Sequence, residues 1–375
     1  MRTNNMPKLD KDIHQKEMAI RFCLVNDMAP FPEVDVQNFR ELSTTSTIIT
    51  DIDVLGIKID STGRPRRVAF DCKTLGKTSP INRAFWAGGL MGFTGCDESF
   101  IILRKKASEA HRLSAKQIKV HLFDEAQFQS YANSCSVDFS IDYCYSTSID
   151  NWTRLFEVAI HDPNLSKYSA FLHSEIPIER DAVKALRKFL AALTKIRGEL
   201  DPGKDKHKCL FLYSVSIFAF LMAQVVHDLR NIIEFDAEEK QFETILKYYI
   251  WGGRDSYLLR SRLTELFAAQ RDGVPLQEPE LRDWSGFMEL TRKLLNSPMD
   301  IQKCMFPLRE FAFMKVASKS EVKHDYISER VHSNKRLRQF CVSLTRYLVD
   351  SLKLPREFSS QLDDDFNNLR FPDMS

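Results

Sequence analysis

Apolar positions between residues 10 and 28 recur at helical spacing: Ile13, Ile20, Leu24 and Met28 form one stripe, with Glu17 set into it. The pattern predicts a first helix that ends at the Pro30 and Pro32 break. Strand-like runs follow at 39–47, 50–59 and 67–73. The segment DSTGRPR between the last two carries the Ser, Gly and Pro of a turn, so a three-stranded meander is expected. Ser79 and Pro80 then supply an N-cap and a first-turn proline for a helix over INRAFWAGGLMGF, and ESFIILRK reads as a short strand buried on both faces. A helix near 108–116, an apolar run over 118–123 and a helix from Asp124 complete this part. From about Asp150 the pattern changes to long helical stretches, among them 178–197, 209–251 and 255–270. The fold class expected is α/β for residues 1–140 followed by a mainly α-helical domain over 150–375, with linkers at 140–150 and 198–208.

Composition narrows the picture only a little. A chain of 375 residues with 43% hydrophobic and 28% charged content is ordinary globular material. Residues 1–150 hold nineteen basic and nineteen acidic side chains and the whole chain is at +2, which excludes a polycation that coats nucleic acid indiscriminately. The eight cysteines are scattered, with no CxxC pair and no zinc-finger spacing, and read as reduced thiols of a cytoplasmic protein. The start MRTNNMPKLDKD has no secretory h-region. Cys209 to Val226 is uncharged over eighteen positions, at the lower length limit of a membrane span. It contains Tyr213, Ser214, Ser216 and Gln224 and runs into an amphipathic helix, so a buried central helix is expected in preference to a membrane segment.

The chemistry concentrates on two strands. Along TDIDVLGIKI, Asp51, Asp53 and Leu55 share a face; along RVAFDCK, so do Asp71 and Lys73. A hairpin symmetric about Thr62 makes Asp53 and Asp71 direct cross-strand neighbours, their carboxylates roughly 5 Å apart. Two like charges in such a half-buried place are relieved by protonation or by a divalent cation between them. Lys73 holds a positive charge beside them, and the set suits phosphodiester hydrolysis. Glu17, on the apolar stripe, is expected to face the sheet, either toward this centre or paired with an arginine such as Arg83.

With a preceding helix that carries Glu17, then Asp53 in TDIDVLGI and DCK at 71–73, the chain resembles the PD-(D/E)XK, or restriction-endonuclease-like, nucleases over residues 10 to about 130. The resemblance implies an αβββαβ core, metal ligation by Asp53, Asp71 and the backbone carbonyl of Cys72, the catalytic lysine role for Lys73 and a second-metal or water-positioning role for Glu17. It implies Mg2+, with Mn2+ as a substitute, and hydrolysis of DNA. No proline precedes Asp53, and the second acid is Asp where many members have Glu.

The expected function is therefore a metal-dependent endodeoxyribonuclease whose helical domain serves substrate selection, dimerisation or partner contact. A homodimer would suit the cutting of both strands. The rival is a non-catalytic nuclease-fold subunit of a larger nucleic-acid-processing or defence complex. Arg64, Arg66, Arg67 and Lys77 would reach phosphates or form a solvated hairpin tip, and the basic cluster at 334–340 reads as a helix face. LGKTS at 75–79 lacks the glycines of a phosphate-binding loop, and no histidine pair has metal-ligand spacing.

Overall fold

A computed structural model describes residues 12–38, 45–60, 63–73, 79–135, 139, 141, 144–158, 161–234, 236–269, 278–317 and 324–369. The first part runs α1 (Ile13–Val25), β1 (Ala29–Gln37), β2 (Ile48–Ile59), β3 (Pro65–Lys73), α2 (Pro80–Thr94), β4 (Glu98–Leu103), α3 (Glu109–Gln117), β5 (Val120–Asp124) and α4 (Glu125–Cys135). Helices make up the rest. These are α5 (Ile149–Glu157), α6 (Pro163–Ala170), α7 (Ala182–Ile196), α8 (Asp205–Arg230), α9 (Glu239–Ile250), α10 (Arg254–Ala269), α11 (Trp284–Leu295), α12 (Pro298–Lys303), α13 (Met305–Met314), α14 (His324–His332), α15 (Lys335–Leu352) and α16 (Glu357–Asn367). The chain is thus mixed α/β, with a five-stranded sheet in its first part and a mostly helical remainder.

Strand order in the sheet is β1-β2-β3-β4-β5; β1, β2 and β3 are antiparallel, and β4 and β5 join β3 in parallel. Helix α2 makes the crossover between β3 and β4. Along the hairpin Val54 faces Phe70 and Ile59 faces Pro65, the symmetric register expected from the sequence. Gly63, at φ 85°, supplies the left-handed residue of the turn.

The first strand lies ten residues earlier than expected, at 29–37 in place of 39–47, and residues 39–44 are outside those described. Pro30 and Pro32 do not break the chain; they sit inside β1. An edge strand tolerates proline wherever its backbone faces away from the neighbouring strand. The carbonyls of both prolines accordingly take partners from the helical part: Arg309 Nη1 donates to Pro30 at 2.7 Å, and His173 Nε2 donates to Pro32. The Nδ1 of His173 in turn accepts from the Tyr213 hydroxyl at 3.2 Å. Burial pushes His173 down to about 3, so the neutral imidazole this relay needs is the form present.

Two layers cover the sheet. One holds α2 and α3, packed through Ala84, Ala87, Met91, Ala115, Ile101 and Leu122. The other holds α1 and α4, where Phe22, Phe70, Phe100 and Phe128 meet at centroid distances of 5.4–6.3 Å. This second core continues without a break into the helices, through Trp152, Leu172, Tyr213 and Phe220 to Phe366. Helix α8 is its axis. The apolar run expected as a buried helix is that helix, and its most apolar eighteen-residue window is wholly covered by protein. The stretch expected as one helix from 209 to 251 is two, α8 and α9, parted by the turn after Arg230.

Candidate metal-binding acidic site

Asp53 on β2 and Asp71 and Lys73 on β3 converge as the alternation of the strands requires. Both aspartates are nearly covered, at 5% and 6% exposure. Asp53 Oδ2 accepts from the Cys72 backbone N–H at 2.7 Å and from Lys73 Nζ at 3.0 Å, and Lys73 Nζ lies 3.5 Å from Asp71 Oδ1. The lysine thus bridges the two acids.

Five further side chains complete the cluster. Arg83, in the first turns of α2, clasps Asp71 with two parallel bonds of 2.5 Å, Nε to Oδ2 and Nη2 to Oδ1, and lies 3.8 Å over the ring of Trp86. Lys16 of α1 is 3.8 Å from Asp53 Oδ1 and donates to Glu33 of β1; both are almost fully buried. Glu33 has φ 55°, an uncommon value for a side-chain-bearing residue in a strand. Asp35 of β1 faces Asp51 of β2 at the rim.

Five carboxylates, those of Glu33, Asp35, Asp51, Asp53 and Asp71, therefore gather around three cations, Lys16, Lys73 and Arg83. The surplus is legible in the titration of the group. Burial, with Asp53 and Asp51 nearby, pushes Glu33 up to about 7 against the pull of Lys16. Burial, with Asp71, pushes Asp53 up to about 6 against Lys73 and Lys16. Burial and Asp51 push Asp35 up to about 6. Lys73, despite its own burial, is held above the ordinary lysine value by Asp53 and Asp71.

Of the residues singled out from the sequence, Asp53, Asp71, Cys72 and Lys73 come together. Glu17 goes elsewhere: its carboxylate accepts from the Ile149 N–H at 3.3 Å, at the start of α5, and it pairs neither with Arg83 nor with this cluster in any described contact. A neighbouring residue, Lys16, takes the inward position. Helix α1 is buried on most sides, at Gln15, Lys16, Met18, Ala19, Ile20, Phe22, Cys23 and Leu24, whereas Ile13 is 42% exposed. A helix held between a sheet and other helices has no single apolar stripe, so a stripe does not orient it. Arg67 is likewise neither a phosphate contact nor a solvated tip. It is buried and donates to the carbonyls of Pro177 at 2.9 Å and Glu179 at 3.0 Å. Arg66 pairs with Glu98, and Lys77 and most of LGKTS lie outside the described residues.

The donors are hard oxygens, of the kind a magnesium or manganese ion takes. As folded, each Asp71 oxygen points at Arg83, and among the described residues no group of three or more His, Cys, Asp or Glu side chains is gathered in ligand geometry. The donor set fits a divalent cation in chemistry, although as folded it is not gathered around a single point. Comparison with protein-family models, with curated proteins and with solved structures finds no match to this chain.

Proposed function

We propose that the chain is a metal-dependent nuclease that hydrolyses phosphodiester bonds, most suitably in DNA, at the cluster of Asp53, Asp71 and Lys73. One observation carries the reading: a bridging lysine two residues after Asp71, locked between two buried carboxylates at the ends of a hairpin, in a chain whose elements run α1-β1-β2-β3-α2-β4. That order agrees with the αβββαβ expected of a restriction-endonuclease-like core and supports the reading. Asp53, Asp71 and the Cys72 carbonyl would hold a Mg2+ or Mn2+ ion, which when bound polarises the phosphate and lowers the pKa of a coordinated water. Lys73 is placed to orient that water and to stabilise negative charge as it develops on the phosphate oxygens. Arg83 has two states in this account: clasped to Asp71 when no cation is bound, and free to meet a phosphate otherwise.

A second reading rests on the same arginine. Its bidentate pair satisfies Asp71 without metal, which is what a non-catalytic subunit that keeps the fold for binding or assembly would show. The two are separated by incubating plasmid, linear duplex, single-stranded DNA and RNA with wild type, Asp71→Ala and Lys73→Ala, each with magnesium, manganese or chelator. The nuclease reading expects metal-dependent cutting by wild type that falls at least about a hundredfold in both variants. Absence of cutting on every substrate, with metal shown to bind, would favour the subunit.

A further inference from the structure

The acidic cluster sets five carboxylates against three cations, so by itself it repels a phosphate chain. A nucleic-acid substrate has to be held from outside it. The edge of the sheet supplies cations for this. Strands β3 and β4 run parallel with Lys73 facing Leu103, so both end at the same edge. Arg104, Lys105 and Lys106 follow at once, all three exposed, on the loop that leads to the Ser108 cap of α3. Among the described residues none of the three has an ion pair or a hydrogen bond. With consecutive Cα atoms about 3.8 Å and neighbouring strands about 4.8 Å apart, the Cα of Arg104 lies within about 9 Å of that of Lys73. The acids Asp124 and Glu125 stand at the end of β5, on the far side of β4 from the cluster.

Helix α2 brings a second kind of surface to the same place. Ala84, Ala87 and Met91 pack toward the sheet, which leaves Phe85 and Trp86 outside at 58% and 37% exposure. From Ala84 to Cys96 the chain bears no charge. Gly89 is one turn on from both rings, and a Cβ built there would meet nothing within 4 Å, so bare backbone adjoins two aromatic side chains. Arg83 lies 3.8 Å over the Trp86 ring and clasps Asp71, which ties this aromatic surface to the cluster. Exposed aromatic rings beside a run of cations suit a partner with flat apolar groups on an anionic chain. Base pairs in a duplex turn only their edges outward, whereas the bases of a single strand present whole faces for stacking.

We infer that the first turns of α2 and the loop at 104–106 form the track of a single nucleic-acid strand, its bases on Phe85 and Trp86 and its phosphates on Arg104, Lys105 and Lys106. This deepens the proposed function, on which the choice of occupant rests: the substrate is single-stranded DNA or an unpaired stretch within a duplex.

The test is fluorescence anisotropy of a labelled twenty-residue oligothymidylate and of a labelled duplex of equal length, at low salt with chelator present so that nothing is cut. Wild type should bind the single strand at least about tenfold more tightly than the duplex. Phe85→Ala should weaken single-strand binding about fivefold or more and leave duplex binding as it was. The pair Lys105→Glu and Lys106→Glu should weaken single-strand binding by roughly tenfold or more and make it less sensitive to salt. All three side chains are exposed, so the thermal unfolding curves should stay in place. Equal or tighter binding of the duplex, or single-strand binding untouched by both variants, would overturn the assignment. So would a concentration-dependent dimer in analytical ultracentrifugation that Phe85→Ala abolishes, since the face would then belong to a second copy. Binding and cutting are read separately. A wild type that nicks plasmid but binds both probes alike keeps the nuclease and loses this track; one that binds the single strand through Phe85 and cuts nothing keeps the track and loses the nuclease.

Discussion

Replacing Arg83 by Met removes both donors from Asp71 and keeps most of the stem that lies against Trp86. In the proposed account Arg83 competes with the metal for one carboxylate. Mn2+, titrated calorimetrically, should then bind Arg83→Met about tenfold more tightly than wild type. Metal binding to wild type should also change the fluorescence of Trp86, an effect absent from Trp86→Phe. Equal or weaker Mn2+ affinity in Arg83→Met would show that the arginine does not guard the site. The raised carboxyls make a second prediction. Glu33 near 7 and Asp53 near 6 stand above their unfolded values near 4, so the folded state holds the extra protons in that interval. Their stabilising contribution is complete below about pH 4 and is lost as pH rises through 6 and 7. The urea midpoint of the metal-free protein should fall between pH 5 and pH 8, and Glu33→Gln should flatten the slope. With metal the sign reverses for binding: Mn2+ affinity should rise through the same interval, because the ligand must be ionised.

At the scale of elements, what could be read from the sequence followed from local rules, and what could not depended on neighbours. The β2–β3 register was legible because a short turn between two alternating strands allows one symmetric pairing, and that placed Asp53 beside Asp71 and Lys73. Strand β1 was not legible, since APFPEVDVQ hides a strand behind two prolines that only an edge position accommodates. With it went Glu33 and Asp35, two of the five acids. Glu17 was expected inward where Lys16 stands, and Arg83 was offered as a partner for Glu17 where it holds Asp71, for the related reason that the facing of α1 and the partner of α2 are set by packing, which no stripe records. The closeness of α1 to the sheet has its own test. At Gly56 of β2 a Cβ would come within 2.6 Å of Cys23 Sγ, so Gly56→Ala should destabilise the fold by about 1–3 kcal/mol in chemical denaturation. A neutral result would mean that the helix can withdraw at no expense.

Across the whole molecule the sheet and the helices share one core. Arg309 sits 4.8 Å over Phe31 of β1 and 5.3 Å from Trp152 of α5, while its neighbour Glu310 accepts from the Tyr145 and Ser146 N–H groups at 2.6 and 3.2 Å. Both are fully covered, and their removal would leave buried polar groups unpaired. The pattern change near residue 150 is real in composition but does not mark a gap in packing. Residues 1–150 produced alone should consequently lack a cooperative melting transition and dispersed amide resonances, whereas a well-folded fragment would show that the sheet is self-sufficient.

The most direct measurement of the central claim pairs Mn2+ binding with plasmid nicking in one variant, Lys73→Ala. This change leaves Asp53, Asp71 and the Cys72 carbonyl in place and removes only the bridging ammonium. A nuclease centred here should bind Mn2+ at least as tightly without Lys73 and nick at least about a hundredfold more slowly. Nicking by Lys73→Ala at the wild-type rate, or a wild type that binds Mn2+ and cuts nothing, would contradict it.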